Sequence, residues 1–223
     1  MQAREVAKYI DHTILKADAT PRDIEKLCHE ANQYGFAAVC VNACYVPLVK
    51  SIVHDDIHVA SVVGFPLGAT STYSKCQETK QAILDGASEI DMVINIGWAK
   101  AGMWAEVEAD IRAVVLAAAP VGVKVILETA LLNDEEKIAV CSASKRAGAA
   151  FVKTSTGFGP AGATLPDVAL MRRTVGPDVM VKASGGVRNL DTLLAFVAAG
   201  ANRIGTSSGV AIVEESQAQN ATT

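Results

Sequence analysis

Phe151-Val152-Lys153-Thr154-Ser155-Thr156-Gly157-Phe158-Gly159 reads as a short apolar strand that breaks into a glycine-rich loop. A helical run ending Lys145-Arg146-Ala147-Gly148 precedes it, and Thr164 to Val175 is helical again after it. The unit is therefore strand, loop, helix, and it recurs in both directions. Toward the C-terminus, Val179–Ala183 and Arg203–Thr206 are strands, with a helix from an Asn189 cap to Ala199 between them. Toward the N-terminus, strands fall at Val123–Thr129, Glu89–Asn95, His58–Phe65 and Phe36–Val41. The intervening helices cover residues 134–147 behind an Asn133 cap, then 104–118, 74–85 and 45–53. Thr20 caps the first long helix, Pro21 takes its first position, and Gly35 ends it. Counting a brief extended segment at Thr13–Leu15, eight strands alternate with helices. The strands are almost unbroken apolar runs, as strands buried on both faces must be. The pattern predicts an α/β TIM (β/α)8 barrel, with a short N-terminal capping helix at residues 2–9. An open doubly wound sheet is the runner-up, and no G-x-G-x-x-G follows the first strand to support it.

Half of the 223 residues are hydrophobic, enough for a single core, and residues 1–213 read as one barrel domain. The polar stretch Glu214–Thr223 is expected to be a disordered tail. The net charge is −4 with the signs interspersed and no Lys/Arg block, which excludes a general nucleic-acid or anionic-membrane surface. No apolar run is long enough for a membrane span, and Arg4, Glu5, Lys8 and Asp11 stand where a signal peptide needs an apolar core. A cytoplasmic location is the expectation. Five scattered cysteines argue against a disulfide framework. Cys40-x3-Cys44 lacks a second pair, so no metal is expected, and Cys44 reads as a buried core thiol.

Charges inside strands carry the chemistry. Asp91 shares a face with Val93 and Asn95, and Glu128 shares one with Lys124 and Ile126. Lys153 and Lys182 occupy the sixth and seventh strands. Two inward lysines on adjacent strands disfavour each other's protonation, and a neutral amine condenses with carbonyls to a Schiff base. The bland alternative is a structural network in which Asp91 and Glu128 neutralise the lysines. Burying such a network is often no more stable than packing apolar residues, so function is the preferred reading.

Three glycine- and hydroxyl-rich segments follow the last three strands: Thr156-Gly157-Phe158-Gly159, Ser184-Gly185-Gly186-Val187 and Gly205-Thr206-Ser207-Ser208-Gly209. Loops after strands seven and eight of this barrel are the usual phosphate site, which points to a phosphorylated substrate, with Arg188 as a nearby cation.

These residues resemble the deoxyribose-phosphate aldolase family. The resemblance rests on Val39-Cys40-Val41-Asn42, Val63-Gly64-Phe65-Pro66-Leu67-Gly68, Glu89-Ile90-Asp91-Met92-Val93-Ile94-Asn95, the Lys153 stretch, and Val181-Lys182-Ala183-Ser184-Gly185-Gly186-Val187-Arg188, collinear over residues 9–213. It implies a class I aldolase that reversibly cleaves 2-deoxy-D-ribose 5-phosphate to acetaldehyde and D-glyceraldehyde 3-phosphate, without metal or cofactor. It further implies that Lys153 forms the Schiff base, that Lys182 depresses its pKa, and that Asp91 transfers protons. Asp11, Cys40, Thr154, Gly157, Ser184, Gly185, Gly186, Gly205, Ser207 and Ser208 match substrate-binding positions. The partners implied are small phosphosugars and aldehydes; a homodimer is the candidate assembly, although the sequence does not give the oligomeric state. Departures are Ala43 where the family often has Pro, Ala161 where it commonly has Gly, and the absence of the C-terminal tyrosine that some relatives carry. Ala43 should loosen the loop after the second strand. A transaldolase-like enzyme or phosphosugar isomerase is the alternative, followed by a barrel that binds phosphosugars without catalysis.

Overall fold

Eight apolar strands that each hand over to a helix can close on themselves, and the chain does so. A computed structural model describes residues 1–221. Among these, the strands β1 Ile10–Thr13, β2 Ala38–Val41, β3 His58–Val63, β4 Glu89–Val93, β5 Gly122–Ile126, β6 Phe151–Lys153, β7 Met180–Ser184 and β8 Arg203–Thr206 form a closed parallel barrel. The helices are α1 Ala3–Ala7, α2 Pro21–Tyr34, α3 Val46–Ile52, α4 Thr72–Leu84, α5 Ile96–Lys100, α6 Trp104–Ala118, α7 Asp134–Ala147, α8 Leu165–Val175, α9 Leu190–Ala198 and α10 Gly209–Ala221. None is long and apolar enough to cross a membrane.

Local chemistry sets the helix ends. At α2, the Thr20 hydroxyl accepts from the Asp23 N–H while the Asp23 carboxylate accepts from the Thr20 N–H, and Gly35 closes the helix at a left-handed φ of 68°. Asn133 and Glu136 form the same reciprocal pair ahead of α7. Strand alternation then sorts the side chains. Val39, Val41, Ile90, Met92, Val152 and Val181 pack outward into the main core with the helices. Cys40, Ala60 and Val62, from the alternate positions of β2 and β3, join Leu15 and Phe65 in a second, small apolar group.

Several sequence expectations are corrected. The stretch from Glu214 is not a disordered tail: α10 continues to Ala221, with Ile212, Val213 and Ser216 buried. Its polar side chains are used, since Tyr34 donates to Glu214 (2.7 Å), Glu215 accepts from the Leu190 N–H (2.8 Å), and Ser216 and Asn220 donate to the Met1 carbonyl (3.3 Å each). Thr222, Thr223 and the question of a terminal tyrosine lie outside the described residues. The first strand is Ile10–Thr13 and not Thr13–Leu15, which puts Asp11 inside the ladder. Asn95 does not extend β4; its side chain caps α5 by accepting from the Trp98 N–H (3.1 Å). Cys44 is exposed, because it sits on a single 3-10 turn, Ala43–Tyr45, that runs directly into α3.

The end of β4 is anchored from outside by a buried ion pair. Lys75 on α4 reaches Asp110 on α6 at 2.6 Å and the Val93 carbonyl at 2.9 Å, while Thr72 donates to the other Asp110 oxygen at 2.7 Å. Both charged side chains are essentially inaccessible. Removing one partner strands the other charge in the core, so Lys75→Met should cost about 3–5 kcal/mol in chemical denaturation. Lys75→Met/Asp110→Leu should recover most of that loss; a double variant as unstable as the single one would contradict this account.

Candidate active site

Register brings the strand charges together. Asp91 of β4 stands beside Lys124 of β5, Lys153 of β6 beside Lys182 of β7, and Lys182 beside Arg203 of β8. The side chains close a ring of alternating sign across the lumen. Lys124 bridges Asp91 Oδ1 (2.9 Å) and Glu89 (2.5 Å), and Glu89 also receives Arg203 (3.1 Å). Arg203 Nε contacts Asp11 Oδ1 (2.5 Å). The other Asp11 oxygen pairs with Lys182 without hydrogen-bond alignment, and Lys182 returns to Asp91 Oδ2 at 2.8 Å. Lys153 hangs from the ring by one contact, 2.8 Å to that same Asp91 Oδ2.

Three acids and three bases make the ring neutral; Lys153 is the fourth base. Burial alone would raise both aspartates, but Lys182, Arg203 and Lys124 outweigh it and hold Asp11 at about 2. Lys124, Lys153 and Lys182 hold Asp91 well below the usual carboxylate range in the same way. Burial likewise works against charge on Lys182, yet Asp11 and Asp91 together raise its proton affinity above that of a free lysine. The Cys40 thiol is pushed up, chiefly by burial.

Above the ring a cavity of about 1080 Å³ opens at the C-terminal mouth of the barrel. Lys153, Gly157, Ser184, Gly185, Gly186, Gly205, Ser207 and Ser208 all line it, as does Arg188. Asp11, Cys40 and Thr154 do not: each is fully buried beneath its floor. Thr154 is a clamp between β6 and β7, donating to the Ser184 carbonyl (3.2 Å) and accepting from the Ser184 N–H (3.1 Å). Two close approaches explain glycine in the rim. A Cβ on Gly205 would lie 2.4 Å from Ser184 Oγ, and one on Gly162 would lie 2.3 Å from the Gly185 carbonyl oxygen. The tight position is therefore Gly162, and Ala161 is tolerated beside it. Across the mouth, Phe65 and Phe158 meet edge to face at 5.4 Å.

Glu128 departs from its expected role. Strand β5 ends at Ile126, so parity no longer governs residue 128, which takes a left-handed φ of 58° and gives its carboxylate to the Thr156 hydroxyl and N–H. It neutralises neither lysine. Glu89, Lys124 and Arg203 do the balancing. The parity rule that singled out Asp91 would have found Glu89 two residues earlier, and the same rule puts Arg203 on the face of Gly205. His12, between Asp11 and Thr13 on β1, faces outward to Glu30 of α2 at 2.7 Å. Among the described residues no group of three or more His, Cys, Asp or Glu side chains is arranged to hold a metal ion.

Residues 5–215 match the family described as DeoC/LacD family aldolase. The chain belongs to this family. It is 57% identical over 214 residues to the deoxyribose-phosphate aldolase of Streptococcus mutans, an alignment covering 96% of this chain and 97% of the relative. A solved structure titled "QR15, an Aldolase" superposes with a TM-score of 0.94 at 39% identity, covering 98% of each chain. The deoxyribose phosphate aldolase of Aeropyrum pernix, described as a unique tetrameric structure, superposes with a TM-score of 0.88 at 32% identity, over 98% of this chain and 93% of that one.

In this family member the ring has a stability signature. A carboxyl depressed in the fold contributes stability above its unfolded value and loses it as pH falls through the folded one. For Asp11 that window runs from 3.8 down to about 2, and Asp91 acts in the same direction. The urea midpoint should therefore fall steeply through this window; a midpoint that stays flat to its acid end would contradict the buried ring.

Proposed function

We propose that the chain is a class I aldolase that reversibly cleaves 2-deoxy-D-ribose 5-phosphate to acetaldehyde and D-glyceraldehyde 3-phosphate, with Lys153 as the imine-forming amine. The observation that carries the reading is the sharing of one carboxylate oxygen, Asp91 Oδ2, by Lys153 and Lys182 at 2.8 Å each. Two ammonium groups on one oxygen repel each other, and the buried set holds one more base than acid. Lys124 and Lys182 each bridge two carboxylates, whereas Lys153 has only Asp91 and also lines the cavity. Lys153 is thus the lysine of the set with a single acidic partner and access to the cavity, and an amine so presented is the nucleophile imine formation needs.

In the cleavage direction the Lys153 amine adds to the substrate aldehyde and the carbinolamine loses water, leaving a protonated imine. That cation draws in the electron pair of the breaking C–C bond as the neighbouring hydroxyl gives up its proton and becomes the carbonyl of glyceraldehyde phosphate. The enamine left on Lys153 is protonated at its terminal carbon, and water releases acetaldehyde and the amine. Asp91 and Lys182 lie within reach of Lys153 for these proton transfers. Asp11 and Cys40 support the floor beneath them. Gly185, Gly186, Gly205, Ser207 and Ser208, with Arg188 and the N-terminus of α10, offer backbone and hydroxyl donors to the phosphate, and the Ser184 hydroxyl, buried without a partner, adds another. The scheme uses these side chains alone, without metal or cofactor. Self-association, expected as a dimer, is supported by the solved tetramer of the A. pernix relative.

Borohydride trapping with acetaldehyde, mapped by mass spectrometry, tests the central step. Wild type should carry a stable adduct at Lys153, and Lys153→Leu none. Lys182→Leu takes a positive charge out of the ring, so trapping should weaken at neutral pH and recover at higher pH. An adduct at any other lysine in place of Lys153 would sink the assignment.

A further inference from the structure

The deep half of the ring has no part in the chemistry described so far. Glu89 and Arg203 line no part of the cavity, and they reach Lys153 only through intermediates: Lys124 and Asp91 on one side, Asp11, Lys182 and again Asp91 on the other. Burying such a pair brings little stability that apolar residues would not match. What the pair does provide is charge. With Glu89 and Arg203 in it, the ring beneath Lys153 sums to zero, and any single replacement leaves a net charge next to the amine.

We propose that Glu89 and Arg203 are positioning residues that set the pH range over which Lys153 is available as a nucleophile, by keeping the ring beneath it electrically neutral. The inference rests on the reading of Lys153 as the imine-forming amine. Every strand facing Lys153 is accounted for. Asp91 and Glu89 come from β4, Lys124 from β5, Lys182 from β7, Arg203 from β8 and Asp11 from β1, while β2 offers the Cys40 thiol, which burial keeps protonated. Strand β3 presents Ala60 and Val62, and Glu128 beyond β5 is engaged by Thr156. No other titratable group faces Lys153 from outside the ring, and Lys153 is the amine of the set with a single carboxylate partner, so a change in ring charge falls in part on its proton equilibrium.

The sign of each effect follows. Glu89→Gln leaves the ring one charge positive, which drives the proton from Lys153 and extends trapping to lower pH. Arg203→Met leaves it one charge negative, which retains the proton and moves trapping to higher pH. A unit charge two or more side chains removed, in a medium of effective dielectric about 20, shifts a proton equilibrium by on the order of one pH unit. Glu89→Gln/Arg203→Met restores neutrality with both charges gone. Arg203→Lys keeps the charge and loses only the forked geometry.

The experiment is the pH dependence of borohydride trapping of acetaldehyde at Lys153, read by mass spectrometry. The two single variants should move the trapping midpoint by about one unit in opposite directions. Arg203→Lys should lower the trapping rate without moving the midpoint. The double variant carries the decision if a single variant does not fold: it should fold and trap with the wild-type midpoint. Single variants that shift the same way or not at all overturn the proposal. So does a double variant that stays unfolded or keeps a shifted midpoint. Absence of any Lys153 adduct in wild type would sink the imine reading and this inference together, whereas normal adducts with unmoved midpoints sink this inference alone.

Discussion

Two lysines, Lys153 and Lys182, share Asp91 Oδ2 at 2.8 Å each, and like charges brought to one oxygen repel each other. Lys182 has a second carboxylate, Asp11, and Lys153 does not. The asymmetry leaves Lys153 with a single acidic partner, and it depends on a few ångströms of register. Asp91 must stand beside Lys124, and Lys153 beside Lys182, or the partners exchange. A one-residue slip in any of these strands would turn its charge outward into the main core. The parallel ladder is what makes so specific a distribution of charge possible.

The mouth of the barrel is built on a different principle. There the strands have ended, and conformation is set by close backbone approaches and short clamps, such as Gly162 against Gly185 and Thr154 across Ser184. Deep residues are held by ladders and ion pairs, rim residues by turns. The floor is therefore fixed electrostatically while the rim remains open to solvent, as the half-exposed Phe158 illustrates.

Much of this was legible in the sequence because it is local. Thr20, Asn133 and Asn189 each mark a helix start through a side chain that bonds three residues ahead, and the structure begins helices at all three. Strand ends were less legible, since apolar character outlasts the ladder: Phe36, Ile94 and Leu127 are buried but lie outside the strands. The polar C-terminal helix was misread because its stability comes from contacts distant in sequence, with Tyr34, Leu190 and Met1. Lys153, Lys182 and Asp91 stood out as charges in apolar strands. Glu89, Lys124 and Arg203 stand near strand starts, where a charge looks like a solvated end; parity puts them on the inward face, and the closed barrel shows that they pair with one another there.

The lumen is also lopsided. Cys40, Ala60, Val62, Leu15 and Phe65 make the wall formed by β2 and β3 apolar, while charge is concentrated on the arc from β4 through β8 to β1. Lys153 stands on the charged arc, facing the apolar wall. A molecule bound between them sits in a permanent dielectric gradient, poorly polarisable matter on one side and oriented charge on the other. Bond breaking at the imine proposed on Lys153 would shift electron density from carbon toward nitrogen, down that gradient and toward the cations. The barrel wall thus gives the reaction a built-in direction for charge flow before any substrate arrives.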